Sequence, residues 1–337
     1  MAEESWTSRP FGRLKRPQGD GGSIFYKNME TTIKKILVTG ASGTIGTRLM
    51  EKLSDQGYQA TGVDWRPNQW SKEINGLTII GDLRDKAVLQ KLPSDFDLVI
   101  HLAANARVYN LVVDPSLARD NFETTFNTLE FTRQNKIKRF MFASSRETYG
   151  NTEQIKYAED AVRLSRCESP YTASKMAGEA MVYGYGRCYG IDSIVFRFSN
   201  VYGMYDSSDR AIPLFIGLAK ENKPIIIFGK DKLLDFTYID DCVAGIMAAI
   251  VNFATAQNDT YNLGVGQGST IIEVAEIIKE ALKSQSQIII QENRAGEVVK
   301  FIADITKAQQ KLGYQPKTFI KEGLNKSIEW YQQNSLK

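Results

Sequence analysis

KILVTGASGTIG, residues 35–46, decides the fold. Ile36, Leu37 and Val38 form a short apolar run that stops at Gly40, the pattern of a strand buried on both faces. From Thr44 the spacing changes, and Ile45, Leu49 and Leu53 recur at helical intervals as far as Gln56. A strand that turns through glycines into a helix suits an anion, because the first N–H groups of the helix lack partners and its dipole favours negative charge. Gly40 would make the tight turn, Gly43 would let the backbone approach a pyrophosphate, and Gly46 would let the helix pack closely on the sheet. Ser42, Thr44 and Ile45 complete this candidate cofactor turn. The spacing is G-x-x-G-x-x-G rather than G-x-G-x-x-G, and a glycine-rich turn that binds nothing is the alternative.

Working outward, QATGVD (59–64), LTIIGD (77–82), DLVIHLAA (97–104), RFMFASS (139–145) and DSIVFRFSN (192–200) read as further strands. Residues 85–92, 116–135 and 171–188 read as helices between them. This alternation predicts an α/β fold with a doubly wound parallel sheet. Asp64 closes the second strand, where a carboxylate would accept hydrogen bonds from an adenosine ribose and disfavour a 2′-phosphate, so NAD is expected over NADP. Arg66 keeps NADP open as an alternative. Asp82 and Leu83 would touch the adenine, or simply end a strand in solvent. After Val201 the pattern changes to polar loops around PIIIFG (224–229) and helices over 240–252 and 271–283. The expected organisation is a disordered extension over 1–32, a cofactor-binding domain over 33–200 with sheet elements returning from 225–265, and a smaller, mainly substrate-binding lobe over 201–337.

Tyr171 and Lys175 stand four residues apart on a predicted helix, so both side chains share one face. An ammonium near a phenol lowers its pKa, and Tyr171 would then take a proton from a substrate hydroxyl. A surface pair is the alternative. Ser144 and Ser145 end the fifth strand, at the edge where such sheets bind ligands, and either a reacting oxygen or a turn would use them.

Composition narrows the classes further. The formal charge is only +3, from 42 basic and 39 acidic residues, which argues against a dedicated nucleic-acid partner. One histidine and three scattered cysteines (Cys167, Cys188, Cys242) give no metal-ligand spacing, so no metal site is expected. No apolar run approaches the roughly 20 residues of a membrane span. Residues 1–30 carry Arg9, Arg13, Lys15 and Arg16 without an apolar core, unlike a secretory signal. A cytoplasmic protein without a membrane partner is expected, and Met29 is a possible natural start.

Taken in order, TGASGTIG, HLAA (101–104), SSRETYG (144–150), YTASK (171–175), RFSNVYG (197–203) and RAGEV (294–298) resemble the extended short-chain dehydrogenase/reductases. Within them the chain is most similar to the NAD-dependent epimerase/dehydratases of nucleotide sugars, from about Lys35 to Gln332. The resemblance implies a Rossmann domain that binds NAD through Gly40, Gly43, Gly46, Asp64 and the backbone near Ala103. It implies Tyr171 as catalytic acid/base with Lys175 beside it, and Ser145 orienting the substrate. Asn200 would contact the sugar or its phosphate and Arg294 the nucleotide diphosphate. Leu234 stands where many relatives carry an arginine, so that phosphate contact is either missing or supplied by Arg210 or Lys232. Helices near 116–135 and 171–188 resemble those of a four-helix dimer interface, so a homodimer is expected.

The implied first step is oxidation at sugar carbon 4. The expected reaction is 4-epimerisation, most simply of a UDP-sugar, with hydride returned to the opposite face of a 4-keto intermediate. Glu147 keeps a 4,6-dehydratase or UDP-uronate decarboxylase open, because related dehydratases and decarboxylases often carry a glutamate there. Arg146, where the dehydratases commonly have an aspartate, is a poor proton donor, although its guanidinium would suit a uronate carboxylate. The two side chains pairing with each other is the plainer alternative. A catalytically silent NAD-binding sensor is the remaining one, because fold alone does not fix function.

Overall fold

The computed structural model describes residues 33–334, and the extension expected over 1–32 lies outside them. Apolar β-branched and aromatic runs form β1 (Lys35–Thr39), β2 (Gln59–Asp64), β3 (Thr78–Ile80), β4 (Leu98–His101) and β5 (Arg139–Ser145). Asp192–Phe198 and Asp259–Leu263 complete a seven-stranded sheet. Its order is Asp259–Leu263, Asp192–Phe198, β5, β4, β1, β2, β3, and every neighbouring pair is parallel. This is the doubly wound Rossmann arrangement. The chain steps outward from β1 to β3, returns to β4, and steps outward the other way. A crevice therefore opens at the carboxyl edge where β1 and β4 lie side by side.

Period two explains why these strands read as continuous apolar runs. Ile36, Val38, Ile100, Met141 and Phe196 pack into one hydrophobic layer, whereas Leu37, Val99, Phe140, Phe142 and Val195 pack into the layer on the opposite face. Helix Thr44–Asp55 begins on Gly43, which has no side-chain cap, so its first N–H groups stay free. Helix Pro170–Tyr189 is started firmly instead: Ser169 accepts from Thr172 N–H at 3.2 Å and Pro170 takes the first turn.

The later part of the chain differs from the expected plan in one respect. Only Asp259–Leu263 of residues 225–265 re-enters the main sheet. Ile225–Phe228 pairs instead with Ile288–Gln291, in a two-stranded ribbon. Leu233–Tyr238 is the centre of a second sheet, flanked by Gly268–Thr270, Lys300–Ala303 and Asn200–Tyr202. One carboxylate knits this region together. Asp235 has no exposed surface and accepts from the N–H groups of Val265 (2.9 Å), Gly266 (2.8 Å) and Ala303 (3.2 Å). Among the described residues no helix is long and apolar enough to cross a membrane.

Candidate active site

The crevice is the mouth of a cleft of about 1140 Å³ whose walls carry every residue singled out in the glycine turn, together with Asp64, Ser145, Tyr171, Arg210 and Arg294. Gly40 has φ +73°, and a Cβ there would stand 2.8 Å from the Ala103 nitrogen, so the turn and the loop after β4 meet backbone to backbone. A Cβ on Gly46 would overlap the Gly40 carbonyl oxygen and Ala41, not the sheet. The role of Gly46 is thus to let the helix close onto its own preceding turn. Gly43 meets only the Gly40 oxygen, at 3.3 Å, and is otherwise open. Ser42 Oγ is buried there without a hydrogen-bond partner, which is unusual for a buried hydroxyl unless a ligand completes it.

Asp64 lies at the end of β2 as expected. Its Oδ2 accepts from Ser42 N–H and its Oδ1 from Arg66 N–H, both at 3.0 Å. Burial raises the pKa of this carboxylate and these hydrogen bonds oppose the rise. Each oxygen keeps a lone pair for a ribose diol. The Arg66 guanidinium stacks 4.5 Å from the Trp65 ring. Asp82 falls two residues past the end of β3 rather than on it, and Arg84 grips its carboxylate and also reaches Asp120 at 2.7 Å. Leu83 is buried at the same wall. The orphan hydroxyl of Ser42, the open Gly43, the free helix N-terminus and Asp64 together fit a dinucleotide.

Tyr171, Ser145 and Lys175 come together below this turn. Ser145 Oγ accepts from Glu147 N–H at 3.2 Å and shares a hydrogen bond with the Tyr171 phenol. Lys175 Nζ lies 5.8 Å from the Tyr171 ring centre and donates to the Ala143 carbonyl at 2.8 Å. The expectation that Lys175 lowers the phenol pKa does not describe this state. Burial raises the Tyr171 pKa, and the Ser145 hydrogen bond only opposes it. Burial also lowers Lys175 to about 8, against a smaller upward pull from Glu179. The one histidine takes no part. His101 is buried between Thr39 (2.7 Å) and Thr125 (3.2 Å), and desolvation holds it near 3, so it stays neutral.

Arg146 and Glu147 are spoken for. Arg146 Nη2 pairs with Glu147 Oε1 at 2.8 Å. Its Nε donates to Asn200 Oδ1 at 3.1 Å, and its Nη1 donates to the Val298 carbonyl at 3.4 Å. Glu147 Oε2 accepts from Val298 N–H at 3.0 Å. Both side chains are under a tenth exposed. Neither an Arg146 fork for a uronate carboxylate nor a free Glu147 base is present. Asn200 is occupied too, since its amide also donates to the Asp235 carbonyl at 3.3 Å.

At the far end of the cleft the Arg294 guanidinium lies 3.9 Å from the Phe228 ring centre and 5.0 Å from that of Tyr109. Arg210 is partly exposed and sits 3.7 Å from Asp206. Lys232 is buried in an ion pair with Glu297, so of the two cations Arg210 is the less committed. Sequence reading missed the contacts that cross the cleft mouth: Thr44 Oγ1 to the Tyr205 carbonyl (3.1 Å), Gln69 to Ser207 (2.7 Å) and Arg107 to Asp209 (2.5 Å). It also missed the buried pair Glu179–Arg197 one turn beyond Lys175, at 2.7 Å. These partners are far apart in sequence, and no local pattern marks them.

With this geometry in view, likeness to known proteins is specific. The model of the NAD dependent epimerase/dehydratase family matches residues 36–264. A putative UDP-glucose 4-epimerase of Methanocaldococcus jannaschii is 33% identical over 309 residues, covering 89% of this chain and 99% of that one. The crystal structure of UDP-glucose 4-epimerase with UDP-glucose from Thermotoga maritima superposes with a TM-score of 0.81 at 29% identity, over 89% of this chain and 99% of that one. A UDP-glucuronic acid 4-epimerase from Bacillus cereus, in complex with a fluorinated UDP-glucuronic acid and NAD, superposes with a TM-score of 0.80 at 28% identity, again over 89% and 99%. The chain belongs to the NAD-dependent epimerase/dehydratase family.

Proposed function

We propose that this enzyme interconverts the carbon-4 epimers of a UDP-sugar. One observation carries the choice of epimerase over dehydratase: Glu147 is locked to Arg146 and Val298 N–H, which leaves Tyr171 as the available proton-transfer group at that end of the cleft. Epimerisation needs no second acid or base, whereas a dehydratase needs one at carbon 5 and another at the leaving hydroxyl. The relatives' printed substrates, UDP-glucose and a UDP-glucuronic acid analogue, support the UDP-sugar.

The bound NAD would supply the hydride acceptor and donor. Gly40, Ser42, Gly43 and the helix start at Thr44 hold its pyrophosphate, and Asp64 its ribose. Tyr171 takes the carbon-4 hydroxyl proton and returns it after the 4-keto sugar has turned its other face. Ser145 orients that oxygen from beside Tyr171, its own oxygen fixed by the hydrogen bond from Glu147 N–H. Lys175 places positive charge near the phenol, which favours its ionised form. Arg294 and Arg210 receive the diphosphate, a good match for guanidinium.

Incubation with UDP-glucose, UDP-N-acetylglucosamine and UDP-glucuronate, followed by mass spectrometry and NMR, tests the reading. The expected product has unchanged mass and inverted carbon 4. Loss of water or carbon dioxide overturns it. Tyr171→Phe should lower turnover by about 10³-fold while NAD stays bound, and a wild type as silent as this variant on every sugar would favour a sensor.

A homodimer belongs to the same proposal. Phe122 and Phe126 on helix Ser116–Gln134 are 44% and 36% exposed. On the neighbouring helix Ala173, Ala177, Ala180 and Gly184 form an outward stripe of small side chains that lets another helix approach closely. Sedimentation should give a dimer, and Phe126→Asp a monomer.

A further inference from the structure

The segment 292–299 links the ribbon strand Ile288–Gln291 to Lys300–Ala303 and carries Arg294 over the cleft. Little of its own backbone pairing holds it. Side chains from the loop after β5 do so instead. Glu147 accepts from Val298 N–H (3.0 Å) while Arg146 donates to Val298 C=O (3.4 Å), so one ion pair satisfies both backbone groups of a fully buried residue. Asn151 repeats the device with Glu297 C=O (3.2 Å) and Val299 N–H (2.8 Å). Lys232 pairs with the Glu297 side chain. The same Glu147 fixes Ser145 through its backbone N–H, and Ser145 in turn holds Tyr171.

We infer that Arg146 and Glu147 act as a positioning pair, a clip that joins the Arg294-bearing segment to the strand end bearing Ser145. The distance between the diphosphate anchor and the hydroxyls that handle the sugar is thereby set. This inference rests on the UDP-sugar reading for what Arg294 grips. It gives a physical use to two residues at positions where proton transfer would otherwise be looked for. A turning keto-sugar needs a nucleotide end that stays still and a sugar end free of charged groups. A clip whose charges are spent on each other and on Val298 provides both.

The experiment uses the full chain with NAD and reads three quantities: hydrogen exchange of the Val298 amide, affinity for UDP, and the split between kcat and KM. Glu147 is engaged by Arg146, Val298 and Ser145, so a role confined to proton transfer would leave UDP affinity and Val298 exchange unchanged. A clip predicts that Glu147→Ala speeds exchange at Val298 and weakens UDP roughly tenfold, a loss on the scale of one buried charged hydrogen bond. Glu147→Gln keeps one oxygen for Val298 N–H but no charge for Arg146, so Val298 exchange and UDP affinity should fall between those of wild type and Glu147→Ala. In the Arg294→Ala background, Glu147→Ala should weaken UDP little further, because the two act along one path.

The inference is overturned if Glu147→Gln loses turnover as fully as Glu147→Ala while exchange and UDP affinity remain native. It is equally overturned if Glu147→Ala leaves Val298 protected. Should Glu147→Ala misfold by stranding Arg146, the double variant Arg146→Leu/Glu147→Leu removes both charges together, which buried pairs tolerate far better, and it must still free Val298. If the wild type binds no UDP, the substrate reading fails, and Val298 exchange together with the glutamine rescue still decides the clip.

Discussion

The glycine turn at 40–46 and the segment 292–299 border the same cleft, yet they are held in opposite ways. The turn is held mainly by backbone, with Asp64 accepting from Ser42 N–H: Gly43 N–H bonds to Gly40 C=O at 3.1 Å, Gly40 N–H to Val63 C=O at 2.8 Å, and Gly46 leaves room for the return. Apart from one backbone bond from Leu233 N–H to Val299 C=O, the segment is held by side chains of Arg146, Glu147, Asn151 and Lys232, all more than 60 residues away in sequence. A backbone-made site depends on conformations that only certain residues allow. A side-chain-made site depends on partners that can be exchanged, and so it is the natural place for one fold to change substrates.

The largest effect should come from the lobe's densest side-chain knot. Asp235→Ala strands three buried N–H groups at once, at Val265, Gly266 and Ala303. The expected cost is about 4 kcal/mol, from ~1–3 kcal/mol for each unsatisfied group and some relaxation. Denaturant unfolding measures it. A cost below that of a surface mutation would mean that water replaces the carboxylate easily, and the contrast between the two regions would weaken.

Gly46→Ala probes the backbone-made side. Its Cβ would overlap the Gly40 carbonyl oxygen, so the turn must open, at about 1–3 kcal/mol of overpacking. NAD affinity should fall by at least about tenfold, since ~1.4 kcal/mol is already that factor. Retention of wild-type affinity would show that the turn has slack which the geometry does not suggest.

Lys175 sharpens the comparison through pH. Its folded pKa is about 8 against an ordinary 10.5. Between these values the unfolded chain keeps a proton that the folded chain has released, so this lysine makes stability rise with pH across that window. Below about pH 8 it is charged in both states, and its burial cost is fully present. Lys175→Met should therefore unfold at higher denaturant than wild type at pH 7, and the gap, on the order of 1–3 kcal/mol, should close as pH approaches 10.5. A constant gap across pH would assign the difference to packing rather than charge.

What the sequence disclosed follows the same division. β2 and β5 fall at the residues expected, and helix Thr44–Asp55 ends one residue short, because strand and helix periods are local. Asp64, Ser145, Tyr171 and Lys175 share the cleft because each sits at a fixed place on such an element. Proton affinities were not legible: the rise at Tyr171 comes from burial by the whole fold, which a four-residue spacing does not contain. Nor was the mutual engagement of Arg146 and Glu147 with Val298, 151 residues beyond Glu147. The ribbon pairing of Ile225–Phe228 with Ile288–Gln291 escaped for the same reason.

The smallest effect separates the two regions most cleanly. Asn151 is exposed, and its amide bonds only to the backbone of Glu297 and Val299 in the segment. Asn151→Ala should cost about 1 kcal/mol, the net worth of one or two solvent-accessible hydrogen bonds. Hydrogen exchange should localise the loss to 297–299, with Val298 partly protected because Glu147 still accepts from it. The amides of 40–46 should exchange as in wild type, since their hydrogen bonds close within the turn and to β2. Faster exchange in the turn as well would mean that the cleft's two walls are one cooperative unit, and that segment 292–299 cannot change without disturbing the cofactor.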